Sequence, residues 1–159
     1  MGFFQAIKGF FGYGILEIDV QPNSTTIDRH HPLVEGKLII TAKTADFIEK
    51  ITMKVEEVWQ KKDINDNPVH ESFRLGDLEF DVQKNFTEGE TFSLDFQMPL
   101  RLVKSFDDEL RDKGGLIGAA GKMSSLLKSE KSNFWLDTTV HVKSASFEPN
   151  KIVELYLSN

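Results

Sequence analysis

Apolar residues at every second position are the feature that most limits the fold of this chain. Between Glu90 and Leu100 they alternate with Ser93, Asp95 and Gln97. The apolar members of the pattern are Phe92, Leu94, Phe96 and Met98. Successive side chains of a β-strand point to opposite faces, so the pattern predicts a strand with one face in a core and the other in water. We expect the chain to be organised around this stretch, as a buried strand of a two-sheet sandwich.

Similar alternation, or a run rich in β-branched residues, predicts strands in six further segments. They are 15–21, 33–42, 48–61, 75–86, 134–143 and 151–157. A turn at Gly89 is expected to join the strand at 75–86 to the next strand as a hairpin. The spacing of residues 49–58 also permits a helix, but the β-branched residues there favour a strand. Short strands separated by polar turns are typical of a sandwich and not of an α/β fold.

Two segments depart from this period and are predicted to be helical. Residues 2–11 have apolar side chains at spacings of three and four, and residues 104–131 form an insertion with a similar stripe. The apolar residues are Phe3, Phe4, Ile7, Phe10, Phe11, Leu116, Met123, Leu126 and Leu127. These nine side chains either pack on the sandwich or contact a partner. A membrane surface is not favoured for the first segment, because Lys8 is its single cation.

The predicted fold class is therefore mainly β. Residues 1–159 are expected to form one arrestin-like or immunoglobulin-like β-sandwich domain with an N-terminal helix and a helical insertion. The chain is long enough to bury a substantial core without a disulfide, and it contains no cysteine.

Charge and hydropathy exclude several classes of partner and location. The net charge of −6 opposes binding to a nucleic-acid backbone or an anionic lipid surface. Residues 1–14 lack the basic start of a secretory signal. No apolar run approaches the roughly 20 residues of a membrane-spanning helix. These features, with the absence of cysteine, predict a cytoplasmic protein.

No residue set indicates catalysis, a cofactor or a metal. His141 is expected on a solvent face with Asp137, but neither has a nucleophile nearby in the pattern. Asp63 begins a sequence resembling a calcium loop, which fails at Pro68 and Arg74, so a turn is expected there. The chain is predicted not to be an enzyme.

Three parts of the sequence carry a resemblance to a known family. The first ends in Gly12-Tyr13-Gly14, the second runs from Phe86 to Pro99 as a turn glycine, a Phe-rich strand and a proline, and the third is the strand from Phe134 to Lys143. In this order they resemble the bacterial sporulation-control protein family, whose members look like arrestins. The resemblance implies a cytosolic regulatory or scaffold protein without enzymatic activity. Family members join two sandwich halves, whereas this chain has residues for one.

The first functional hypothesis is a binding or scaffold module with a protein partner. Contact is expected through the 2–11 helix, the 104–131 insertion or an exposed strand edge, and strand-edge or helix pairing would also permit a homo-oligomer. The alternative is a carrier of a small apolar ligand or lipid, held in a cavity between the sheets.

Overall fold

The computed structural model describes residues 14–102 and 131–159. Eight strands form these parts of the chain. They are β1 (Leu16–Pro22), β2 (Thr26–Ile27), β3 (Leu33–Ala42), β4 (Asp46–Lys62), β5 (Pro68–Phe86), β6 (Thr91–Pro99), β7 (Lys131–Val142) and β8 (Asn150–Leu157).

The strands form two sheets. One has three strands in the order β1-β3-β6, and the other has five in the order β2-β8-β7-β4-β5. Neighbours pair antiparallel, except β2 and β8, which are parallel. Apolar side chains from both sheets form one core, which makes the described part of the chain a β-sandwich.

Strand β7 illustrates how the sequence alternation becomes this core. Its buried positions are Phe134, Leu136, Thr138, Val140 and Val142, and the residues between them are half-buried. These are the inward positions predicted from the sequence.

The predicted fold class is wrong in its helical part. The described residues form strands, turns and loops, with no helix in 14–102 or 131–159. The helix predicted for 2–11 lies outside the described residues. So does the helical insertion predicted for 104–131, except for its last residue, Lys131, which begins β7. The fold shown is therefore mainly β.

The predicted hairpin between β5 and β6 is also wrong. Strand β6 pairs with β3, whereas β5 pairs with β4, so the turn at 87–90 carries the chain from one sheet to the other. The reason is visible at the end of β3, where the Gly89 N–H donates to the Ala42 carbonyl and the Ala42 N–H donates to the Glu90 carbonyl. These bonds align β6 with β3. Alternation predicts the faces of a strand but not its neighbour.

Gly76 marks a close approach between β5 and the end of β6. The register between β4 and β5 shifts between Val55 and Glu56, so Leu75 has no opposite residue on β4. Leu75 is therefore the extra residue of a β-bulge. A Cβ atom at Gly76 would lie 2.8 Å from the Pro99 carbonyl oxygen and 2.9 Å from Leu100 Cδ2. The end of β6 therefore needs a residue without a side chain here.

We expect Gly76→Ala to lower the free energy of unfolding by about 1–3 kcal/mol, since the added methyl group meets backbone that must shift. Asp77→Ala, at the exposed neighbouring position, is the control and should change it by less than about 0.5 kcal/mol. Urea unfolding measures both variants. If both substitutions changed the free energy of unfolding equally, the result would contradict the close approach of β6 to Gly76.

Thr138 is the polar exception within the core. Its side chain is fully buried between Leu136 and Val140, and its hydroxyl has no hydrogen-bond partner among the described residues. A buried hydroxyl without a partner loses its bonds to water and gains none in return.

Thr138→Val should raise the free energy of unfolding by about 1 kcal/mol, because it removes the unpaired hydroxyl at similar volume. Thr139→Val, on the outward face of the same strand, is the matched control and should be close to neutral. Denaturant midpoints measured side by side check this, and a destabilised Thr138→Val would show that the hydroxyl has a partner in solution.

Candidate functional site

The nine apolar residues predicted to contact a partner lie in 1–13 and 103–130, outside the described residues. The structure describes three other surfaces that bring functional side chains together: a polar groove on the five-stranded sheet, a cleft between β7 and β8, and an open side of the sandwich between β5 and β6.

The polar groove lies on the outer face of the sheet, where β7, β4 and β5 are neighbours. It has a volume of about 330 Å³. The register places Thr52 of β4 between Thr139 of β7 and Glu79 of β5. Lys54, two residues further on, likewise lies between Asp137 and Asp77. Both positive and negative side chains therefore line the polar groove.

His141 connects this groove to the loop that follows β7. Its Nε2 lies 3.0 Å from the Thr52 hydroxyl, and its Nδ1 lies 2.6 Å from a Glu148 carboxylate oxygen. The sequence pattern placed His141 on one face with Asp137 and permitted a contact between them, whereas the structure pairs His141 with Glu148. The sequence near His141 gives no signal for Glu148, because the contact depends on the path of the loop after β7. This loop folds back onto the sheet, where the Val140 N–H donates to the Pro149 carbonyl at 2.9 Å.

A hydroxyl, an imidazole and a carboxylate in series have the order of a nucleophile, its base and an orienting acid. Acyl transfer also needs donors aimed at the developing oxyanion. Thr52 lies in the middle of a strand that is paired on both sides, so the backbone around it is engaged in the two ladders. The geometry therefore suits a structural role, in which His141 holds the loop against the sheet.

Asp137 has the clearest electrostatic perturbation in the groove. Burial raises the pKa of its carboxyl group, and the nearby Glu56 adds to the rise. The Lys54 ammonium, 3.9 Å away, and the Asn150 amide, 3.5 Å away, oppose it. Lys54 is also bound to Glu56 at 3.2 Å, so one cation serves two carboxylates.

The cleft between β7 and β8 contains a buried acid. Glu57 is 4% exposed and accepts a hydrogen bond of 2.8 Å from the Ser132 hydroxyl. Trp59 and Tyr156 also line this cleft of about 310 Å³. The sequence did contain a signal, because Glu57 stands at an inward position and interrupts the apolar alternation of β4.

The open side of the sandwich lies between the edge strands β5 and β6. Half-buried apolar side chains line it from both sheets, and we name this surface the seam. Its residues are Leu78, Phe80 and Val82 of β5 and Phe92 and Leu94 of β6.

At the ends of the seam, β5 contacts β6 and the residues that follow β6. At one end the Phe86 and Phe92 rings meet edge to face, with centroids 6.0 Å apart. At the other, the Arg101 N–H donates to the Leu75 carbonyl at 2.8 Å. The outward residues of β5 along the seam are three acids, Asp77, Glu79 and Asp81, all exposed.

Asp63 forms a turn, as predicted. One of its carboxylate oxygens accepts hydrogen bonds of 2.8 Å from the Asn65 and Asn67 N–H groups. These bonds lower the pKa of Asp63, with the Asn67 N–H as the largest cause. In residues 14–102 and 131–159, no three acids or histidines are grouped so that they would hold a metal ion.

Within the same described ranges, no helix has the length and apolar character needed to span a membrane.

Comparison with known proteins identifies the fold. No family model matches the sequence, and no curated protein matches it. Among solved structures, the chain is similar to the sporulation control protein Spo0M from Bacillus subtilis, with a TM-score of 0.62 and 13% identity. The similarity covers 92% of this chain and 50% of that one, so this chain spans half the length of its neighbour. At this identity the match shows the fold alone, and at that level it confirms the resemblance predicted from the sequence.

The raised pKa of Asp137 predicts a pH dependence of stability. The folded chain holds this proton to higher pH than the unfolded chain, so the wild type loses stability as the pH rises through the interval between the two pKa values. We expect Asp137→Asn to gain stability relative to the wild type as the pH rises from about 3 to about 7.

Asp63→Asn is the matched control of opposite sign. Its pKa is lowered, so the wild type gains stability as the pH rises toward the ordinary aspartate pKa. The variant should therefore lose stability relative to the wild type below about pH 4 and show no further change between about pH 4 and about 7. Thermal unfolding at several pH values measures both. Parallel curves for Asp137→Asn and the wild type would contradict the burial of this acid.

Proposed function

We propose that this chain is a non-enzymatic regulatory or scaffold protein of the cytoplasm that acts through contacts with a protein partner. The observation that carries the proposal is the seam, where two edge strands leave half-buried apolar side chains at the surface. Half-buried apolar side chains beside strand edges that have no partner among the described residues offer a place where a partner can add a strand.

The structural neighbour supports a regulatory role through its description as a sporulation control protein. One fold hosts many functions, so this support is weaker than that from the seam. The proposed role does not need the second half of the neighbour, because the seam lies within this chain.

Packing in the middle of the core favours a protein that binds a partner over a carrier of an apolar ligand. Leu38, Ile40 and Met98 are 0% exposed and belong to the core between the sheets. The groove and cleft described above open to the surface, whereas a carrier encloses most of its ligand.

Two further sets of apolar residues belong to the proposed contact surface. The first is in residues 2–11 and the second in residues 104–131. Their large apolar side chains contribute most to binding when a partner buries them.

The test uses the full chain, carrying an affinity tag, as bait in an extract of its source cells. We expect one discrete protein to be captured, to bind the bait again after purification, and to be lost or weakened at least about tenfold by Phe10→Ser with Phe11→Ser or by Leu126→Ser with Leu127→Ser. Glu17→Lys, on the exposed face of β1, is the control and should leave binding unchanged.

Far-ultraviolet circular dichroism and unfolding midpoints establish that each variant is folded. The proposal fails if no captured protein binds the purified bait again. It also fails if native mass spectrometry of freshly purified chain shows a retained apolar ligand at full occupancy, because that result supports the carrier.

A further inference from the structure

The edge of β5 offers backbone groups along the seam. Residues 77–81 pair with β4 on one side, with Asp77 opposite Lys54 and Asp81 opposite Lys50, and Val82 follows at a register shift. β5 is the last strand of its sheet, and within the described residues no backbone bond reaches the other side of 77–82. An edge of this kind is a template for pairing with an additional strand.

The side chains along this edge specify what an added strand must carry. A new strand beside β5 would place its residues about 4.5–5.5 Å from those directly opposite on each face. On the inner face it would meet Leu78, Phe80 and Val82, and on the outer face Asp77, Glu79 and Asp81. Apolar residues are therefore favoured on one face and cations on the other.

We propose that the seam binds an extended segment of a partner protein in which basic and apolar residues alternate, and that this segment adds a strand to β5. The inference rests on the proposed contact function and names the chemistry of the partner. Backbone hydrogen bonds supply the pairing, the apolar residues close the gap between the sheets, and the basic residues pair with the three acids.

Charge argues against a second copy of this chain at the same edge. Antiparallel self-pairing centred on Glu79 would set Glu79 against Glu79 and Asp77 against Asp81. Like charges directly opposite each other destabilise a sheet. Lys50 reduces this repulsion only in part, because its ion pair with Glu79, at 3.2 Å, has both side chains largely exposed.

The test uses the full chain and a capped synthetic peptide, Lys-Val-Lys-Phe-Lys-Val-Lys. Two control peptides separate charge from order: one replaces every Lys by Glu, and one has the same composition with the four Lys residues in a block. Nuclear magnetic resonance titration with hydrogen exchange reports affinity and location together.

We expect saturable binding of the alternating peptide, with slower exchange of backbone amides in 77–82. The Glu peptide should not bind, and the block peptide should bind at least about tenfold more weakly. Asp77→Lys with Asp81→Lys should weaken binding at least about tenfold, whereas Glu17→Lys on β1 should not. Raising the salt from about 50 to about 500 mM should weaken binding, since the acids are exposed.

Three results would overturn the inference: slow exchange of all amides in 77–82 before peptide is added, equal binding of the two Lys peptides, or shifts located away from β5. Sedimentation showing a dimer that Asp77→Lys with Asp81→Lys dissociates would also overturn it, because the occupant is then a second copy. Each result leaves the proposed contact function standing if the captured partner still binds, so the two failures are distinguishable.

Discussion

The central constraint on this structure is that β4 must pair with two neighbouring strands while it keeps one face of its side chains in the core. It pairs with β5 on one side and β7 on the other over most of its length. Its inward residues Ile48, Ile51, Met53 and Val55 are 0% exposed. Ile48 and Ile51 are three positions apart, so strict alternation cannot place both inside. The register shift between Ile48 and Lys50, present in both ladders, corrects the phase so that the same face stays buried.

The open side of the sandwich follows from how the chain leaves this sheet. β5 is paired on one side by β4, and the chain then crosses to the other sheet and aligns β6 with β3. A hairpin between β5 and β6 would have paired both edges within one sheet. Because the chain crosses instead, two edge strands face each other across the core and are tied at their ends by the Phe86 and Phe92 rings and by the Arg101 to Leu75 hydrogen bond. The space between those ties is the seam.

Much of the fold was predictable, because alternation reports the environment of each side chain. The inward set of β7 and the strand from 151 to 157 followed from it. Pairing did not, since β5 and β6 are adjacent in sequence with a glycine turn between them and still belong to different sheets. Of the polar contacts, the inward position of Glu57 was readable from the sequence, whereas the bond between His141 and Glu148 depends on the path of a loop. The sequence therefore predicts well which face of a strand is buried, but it predicts poorly which strands pair. A contact surface at a sheet edge depends on strand pairing, so the sequence alone does not locate it.

The acids on β5 limit which segments can add to an exposed strand edge. Half-buried apolar residues, together with backbone groups that have no partner among the described residues, favour indiscriminate strand addition, which leads to aggregation. A row of carboxylates on the same strand makes addition costly for any segment that is acidic or neutral on its outer face, and it makes addition favourable for a basic one. The three acids thus turn a general liability of edge strands into discrimination by charge. Backbone groups, apolar residues and acids act together here because the alternation that built the core continues to the outermost strand of the sheet.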